Sequence, residues 1–216
     1  MVTCCQCEAI EREFGRENAE KELRRFRRRG PIPTTRALID ALRAQGIDGA
    51  SVLDIGGGIG AVHHVLLDTG ASNAVHIDVS PDYLALSRDE SIRLKHDERV
   101  QFVRGDFVCL APATAPADVV TLDRVICCYP DMEELVGASA AKARRLYGAV
   151  YPREVWWVRA ALSLVNAFMR LRRTVFRMYL HSPAAIDGVL RQSGLEPRSI
   201  ERELFWEIAV YARPGA

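Results

Sequence analysis

The sequence predicts an α/β fold with a doubly wound, mostly parallel sheet and a helical extension at its N-terminus. Two observations carry this. From residue 49 onward, apolar stretches of strand length alternate with helix-length segments, and parallel neighbours need such crossovers because a tight turn cannot join them. The first of those strands also runs straight into Gly56-Gly57-Gly58-Ile59-Gly60, the kind of turn expected where a strand feeds a helix beside a ligand crevice.

Residues 1–48 read as the extension. Residues 8–29 are dense in charge and poor in breakers, and Glu17/Lys21 and Glu20/Arg24 have i,i+4 spacing, so a helix is expected. Its acids come early and Arg24, Arg25, Arg27, Arg28 and Arg29 come late, which complements the helix dipole. Gly30-Pro31-Ile32-Pro33 stops it. A second helix is expected over 34–45, with Leu38, Ile39 and Leu42 on one face.

Residues 49–216 read as the main domain. Strands are expected at 51–55, 74–77, 100–103, 119–122 and 146–151, and helices at 62–68, 81–95 and 131–145. Residues 154–173 read as a long amphipathic helix. Ser182 and Pro183 supply a cap and a first-turn proline for a helix that stops at Gly194, and 199–204 and 206–211 alternate as strands.

The 216 residues, 49% of them hydrophobic, fit one globular domain with a short appendage. A net charge of +1 argues against a chain that binds nucleic acid with its whole surface, and no nucleic-acid partner is expected. The six cysteines follow no secretory leader, so reduced thiols in a cytoplasmic chain are expected. Arg159, Asn166 and Arg170 interrupt the longest apolar run, 155–171, and no transmembrane helix is expected.

The glycine loop lets a ligand approach the backbone without meeting a Cβ. Alone it is ambiguous, because Gly56, Gly58 and Ala61 also satisfy the dinucleotide pattern GxGxxG/A. Asp78 ends the second strand, where a carboxylate can accept hydrogen bonds from both ribose hydroxyls of an adenosine ligand. Asp106 follows the third strand in Gly105-Asp106-Phe107, placed to accept an adenine amino group, and Asp54 is read as a third acid facing the loop. Three carboxylates suit a cationic ligand better than a pyrophosphate.

Val52 to Gly60, His76-Ile77-Asp78-Val79-Ser80, Gly105-Asp106-Phe107 and Asp118 to Asp123 together resemble the successive signatures of class I S-adenosylmethionine-dependent methyltransferases. The resemblance implies a Rossmann-like seven-stranded sheet whose last strand is antiparallel and inserted between its neighbours. It implies S-adenosyl-L-methionine as cofactor, with Gly56, Gly58 and Gly60 against its methionine part, Asp78 on the ribose, and Asp106 with the Phe107 backbone on the adenine. Asp54 and Asp123 complete the cofactor-binding set.

The exit of the fourth strand, from Leu122-Asp123 to Tyr129-Pro130, and Tyr179-Leu180-His181 further on are similar to runs in magnesium-protoporphyrin O-methyltransferases, although Cys128 stands where that pattern has a histidine. A small or medium hydrophobic acceptor methylated at oxygen is therefore expected, with a tetrapyrrole-like carboxylate as the narrower reading. An NAD(P)-dependent oxidoreductase and a non-catalytic binding module are the alternatives. A carboxylate acceptor needs no base, whereas a hydroxyl or amine does; His181 and Tyr129 are the expected catalytic residues, with His63 and His64 as further candidate bases.

The helix over 154–173 carries Trp156, Trp157, Leu162, Leu164, Val165, Phe168 and Met169 beside Arg159, Arg170, Arg172, Arg173 and Arg177. It reads as a core helix with a basic face, as a cap over the acceptor, or as a peripheral membrane contact. Cys4, Cys5 and Cys7 supply three thiols at spacings unlike the usual paired zinc half-sites, and no metal site is predicted.

Overall fold

Strand β1 (Ser51–Ile55) alternates Val52 toward one face and Leu53 toward the other, both buried, so it belongs where helices cover the sheet on both sides. The computed structural model describes residues 15–215. Cys4, Cys5 and Cys7 and the first residues of the expected N-terminal helix lie outside them.

The described chain begins with α1 (Arg16–Arg29) and α2 (Pro33–Arg43). After β1 come α3 (Ala61–Asp68), β2 (Asn73–Asp78), α4 (Pro81–Leu94), β3 (Val100–Arg104), the short α5 (Phe107–Leu110) and β4 (Ala117–Asp123). A 3₁₀ turn, Ile126–Cys128, leads to α6 (Met132–Ala140), β5 (Ala143–Pro152), α7 (Trp156–Leu171), α8 (Pro183–Gln192), β6 (Glu196–Arg202) and β7 (Trp206–Ala212).

The seven strands lie in the order β3-β2-β1-β4-β5-β7-β6, with β7 antiparallel to both of its neighbours and the other pairings parallel. The expected inserted last strand is therefore present. The chain winds outward from β1 to β3 and returns to β4 on the other side of β1, so the crevice between β1 and β4 at their carboxyl ends is the topological switch point.

One core packs Leu53, Val120, Leu122, Tyr147 and Tyr211 against α6 and α8; the other packs Val52, Val119, Leu146 and Val210 against α2 and α3. Adjacent residues such as Val119 and Val120 serve opposite cores, as a period of two requires. A third cluster joins Ala19, Leu23 and Phe26 of α1 to Ile59 of the glycine loop and to Tyr83 and Leu86 of α4. Arg27 of α1 and Arg93 clamp the buried Glu90 carboxylate at 2.7 and 2.6 Å. The acid-early, base-late α1 also forms its Glu20–Arg24 pair at 3.5 Å.

Two boundaries differ from expectation. The helix expected over 131–145 ends at Ala140, because Ala143, Arg144 and Leu146 belong to β5, where Ala143 and Leu146 are buried and Arg144 is exposed. Nothing between 138 and 145 breaks a helix, so the stop comes from sheet pairing, with the Ala117 amide donating to the Lys142 carbonyl at 2.9 Å. Strand β6 begins at Glu196, before Pro197, and a register shift between Pro197 and Ser199 accommodates the proline at the sheet edge.

Gly148 lets α2 approach β5: a Cβ there would lie 2.8 Å from Leu38 Cδ1 and 3.3 Å from Leu42. Both leucines are fully buried. Gly148→Ala is expected to lose about 1–3 kcal/mol by overpacking, read as a lower urea midpoint with unchanged slope.

Candidate functional site

Between β1 and α3 the backbone turns through Gly56, Gly58 and Gly60, at φ of 62°, 57° and 84°. These are left-handed conformations that favour glycine. Gly57 is needed for a different reason: a Cβ there would sit 2.5 Å from Asp54 Oδ2 and 2.9 Å from the His76 ring. The loop therefore rests directly on a polar layer beneath it.

That layer is buried. Thr121 donates to Asp54 Oδ1 at 2.7 Å, and His63 Nδ1 lies 2.8 Å from Asp54 Oδ2. His63 and His76 have ring centroids 4.9 Å apart, Ser87 Oγ is 3.2 Å from His76 Nδ1, and His64 and His96 approach at 3.2 Å through their Nδ1 atoms. Burial lowers His63 and His76 to about 3 and His64 to about 2, and burial raises Asp54 above the usual carboxylate range. The three histidines are thus neutral at neutral pH, and their Nε2 atoms have no hydrogen-bond partner among the described residues.

Above the loop opens a cleft of about 350 Å³, lined by Gly56, Gly57, Gly58, Asp78, Asp106, Phe107, Asp123 and Tyr129 and by apolar residues from further along the chain. Asp78, at the end of β2, accepts from the Gly58 amide at 3.0 Å and from the Ser80 amide at 2.8 Å, which ties its carboxylate to the loop. Burial pushes its carboxyl up to about 6, opposed by these amide bonds. Asp106 caps α5 through the Val108 amide at 3.0 Å and accepts from the Tyr129 hydroxyl at 3.3 Å. Asp123, at the end of β4, accepts from the Thr35 hydroxyl of α2 and from Arg124 Nε, the latter at 3.2 Å.

Of the expected site residues, the structure gathers Gly56, Gly58, Asp78, Asp106, Phe107, Asp123 and Tyr129 around one cleft. Asp54 and Gly60 stand apart from the lining. Asp54 points down, engaged by Thr121 and His63, and does not face the cleft as the sequence had suggested; a Cβ on Gly60 would strike His63 and Ser87 at 2.5 Å. His63 and His64 are buried in the layer below, which removes them as bases for a bound acceptor. His181 also lies outside the lining, and its Nε2 is 2.9 Å from the Tyr129 carbonyl, so it holds the β4 exit in place.

Four further residues line the cleft to which sequence reasoning assigned no part in the site. Glu22 of α1 lines the cleft, accepts from the Tyr83 hydroxyl at 3.2 Å and lies 3.7 Å from Arg124. Arg124 adopts φ 63° immediately after Asp123, uncommon for a residue with a side chain. Cys127 and Cys128 line the cleft as free thiols with sulfurs 3.9 Å apart; the hydrogen bond between them pushes Cys127 up and Cys128 down. Glu22 sits among acids of identical type, and Arg124 is marked only by its place at the exit of the fourth strand.

Residues 52–146 match the family model described as a methyltransferase domain, a stretch that contains the glycine loop, Asp78, Asp106 and Asp123. The ribosomal protein L11 methyltransferase of Ectopseudomonas mendocina (strain ymp) is 41% identical over 64 residues, which cover 30% of this chain and 22% of that protein. The chain spans less than a third of the length of the curated relatives it matches. Among solved structures, magnesium protoporphyrin IX methyltransferase from Synechocystis PCC 6803 with bound SAH is similar at a TM-score of 0.74 and 18% identity, covering 96% of this chain and 99% of that one. An O-methyltransferase family protein from Burkholderia thailandensis is similar at a TM-score of 0.66 and 19% identity, with 93% and 63% covered. These structural likenesses show the fold.

The seating of the loop can be tested by adding one methyl. Gly57→Ala is expected to lower stability by about 1–3 kcal/mol through overpacking against Asp54 and His76. Gly137→Ala, where the nearest atom is 3.9 Å away, is expected to raise it by roughly 0.5–1 kcal/mol as an ordinary helical substitution. Thermal midpoints by circular dichroism compare the two.

Proposed function

We propose that the protein is a methyltransferase that uses S-adenosylmethionine to methylate a small or medium hydrophobic acceptor at oxygen. The observation that carries this reading is the set of three acids, Asp78, Asp106 and Asp123, placed after successive strands around a glycine loop in a largely apolar cleft. A pyrophosphate there would meet repulsion of about 4 kcal/mol per charge pair at 4 Å for an effective dielectric of 20, which weighs against a nicotinamide dinucleotide.

The residues present suit the adenosyl cofactor. A carboxylate offers about four lone-pair sites; Asp78 accepts from the Gly58 and Ser80 amides, one on each oxygen, and its remaining capacity would serve the ribose hydroxyls. Asp106 and the Phe107 backbone would hold the adenine, and the Cβ-free edge of Gly56 to Gly58 would accept the methionine part. When bound, the cofactor supplies an electrophilic sulfonium methyl, so the protein's task is to orient an acceptor and exclude water.

The acceptor would enter along the apolar wall formed by Tyr129, Leu135, Phe176 and Met178. Tyr129 is the remaining candidate for a direct catalytic contact; His181 acts through it as a positioning residue. A carboxylate acceptor, with no base required, fits the displacement of the histidines from the cleft. The likeness to the Synechocystis magnesium protoporphyrin IX methyltransferase supports a tetrapyrrole-like carboxylate as the narrower reading.

Calorimetry tests the cofactor reading. S-adenosylhomocysteine is expected to bind and NAD is not; the reverse result rejects the proposal. Asp78→Ala should weaken binding by about a hundredfold, from two lost charge-assisted hydrogen bonds, with the fold intact by circular dichroism. Because Asp78 must be ionised to accept from the ribose and titrates near 6, affinity should be flat above pH 7. Below pH 6 it should fall by about tenfold per unit, with proton release on binding near pH 6.

A further inference from the structure

No helix among the described residues is long and apolar enough to cross a membrane, yet α7 is apolar where it meets solvent. Trp156 is 81% exposed, Leu164 72%, Phe168 55% and Leu171 80%, with Val175 at 60% just beyond the helix and Leu204 of the β6–β7 turn at 79%. At 100° per residue, Trp156, Leu164, Phe168 and Leu171 fall within roughly 120° of arc. Phe205, next to Leu204, meets Trp157 edge-on at 6.1 Å, which brings the turn to the start of α7. Single exposed apolar residues are ordinary, but a contiguous patch of this kind marks an interaction surface.

We propose that this outward face of α7, with the β6–β7 turn, docks the protein on an anionic lipid surface. The choice of occupant follows from charge. Residues 153–177 contain six arginines and a single acid, Glu154, which is paired with Arg159 at 3.1 Å. Arg159, Arg170, Arg172 and Arg173 are exposed beside the stripe. A symmetric contact with a second copy would set the same cationic patch against itself, whereas an anionic interface offers apolar depth and negative charge together.

The opposite side of α7 explains the use. Val158 and Leu162 are buried, and Asn166 bonds to both the carbonyl and the amide of Met178 at 2.8 and 2.9 Å. Met178 and Phe176 in turn line the cleft. The layer that walls the cleft thus carries the docking face on its other side, so an acceptor dissolved in lipid would reach the cleft past α7. The docking rests on the exposed face alone; its bearing on the acceptor rests on the methyltransferase reading.

Co-sedimentation of the full chain with phosphatidylcholine vesicles, with or without phosphatidylglycerol, tests the proposal. Binding is expected to be at least about tenfold stronger on the anionic vesicles and to fall as salt rises. Arg170→Glu with Arg173→Glu should weaken it by about tenfold or more, and Trp156→Ser with Phe168→Ser should also weaken it, both pairs keeping the circular dichroism of the parent. Absence of binding, or equal binding to both vesicles, overturns the proposal. So does a dimer in sedimentation velocity without lipid that Trp156→Ser with Phe168→Ser dissociates. S-adenosylhomocysteine affinity measured without vesicles reports on the cofactor reading separately, since these side chains lie outside the cleft.

Discussion

The carboxyl edge of the sheet is levelled by one buried carboxylate. Asp54 accepts from Thr121 on β4 and is paired with His63 on α3, so it ties together the two strands that flank the switch point and the helix that follows the loop. A buried acid without partners costs several kcal/mol, and this one has both oxygens engaged. Gly57 lies on top of it with no room for a methyl group. The height of the loop above the sheet is therefore fixed from below, and the Gly58 amide reaches Asp78 because of it.

The strands and their order were legible because a strand buried on both faces has few ways to be written. Val52 and Leu53, or Val119 and Val120, are apolar in immediate succession, and glycine directly after such a run marks the turn. The acids at the strand ends were legible as acids and not as directions. Asp54 lies inside β1 and Asp78 ends β2, and the period of two puts both on the same face; one engages Thr121 and His63 while the other faces the cleft because Asp54 is in register with His76, two residues short of Asp78. His63 and His64 looked like bases for the same reason: nothing in a sequence separates a histidine that faces solvent from one whose burial holds it neutral. Glu22 was invisible among its neighbours, since its role depends on α1 lying across Tyr83 and Arg124.

The near-neutral charge of the chain conceals a division of labour between two sides of one layer. Inside, the acids hold their positions by accepting from amides and hydroxyls, with Arg124 as the counter-charge between Glu22 and Asp123. Outside, the arginines of α7 border an apolar stripe. The segment after α7 is secured to both sides at once: Asn166 binds Met178, the Tyr179 amide donates to the Cys127 carbonyl at 2.7 Å, and His181 reaches the Tyr129 carbonyl. A shift of the outer layer would be felt at the β4 exit.

The inserted position of β7 sets an order of assembly. Among the described residues strand β6 has β7 as its sole partner in the sheet, and β5 has only β4 until β7 arrives. As the chain emerges from the ribosome, β1 to β5 can pair in succession, but β6 must wait, made before its partner and with its backbone groups unsatisfied. During that interval the sheet ends at β5, whose Ala149, Val150 and Tyr151 form an uncovered edge of the sort that recruits foreign strands. The last strand laid down is thus the one that closes the sheet, and slow translation just before it would prolong the time in which a nascent chain is open to misassembly.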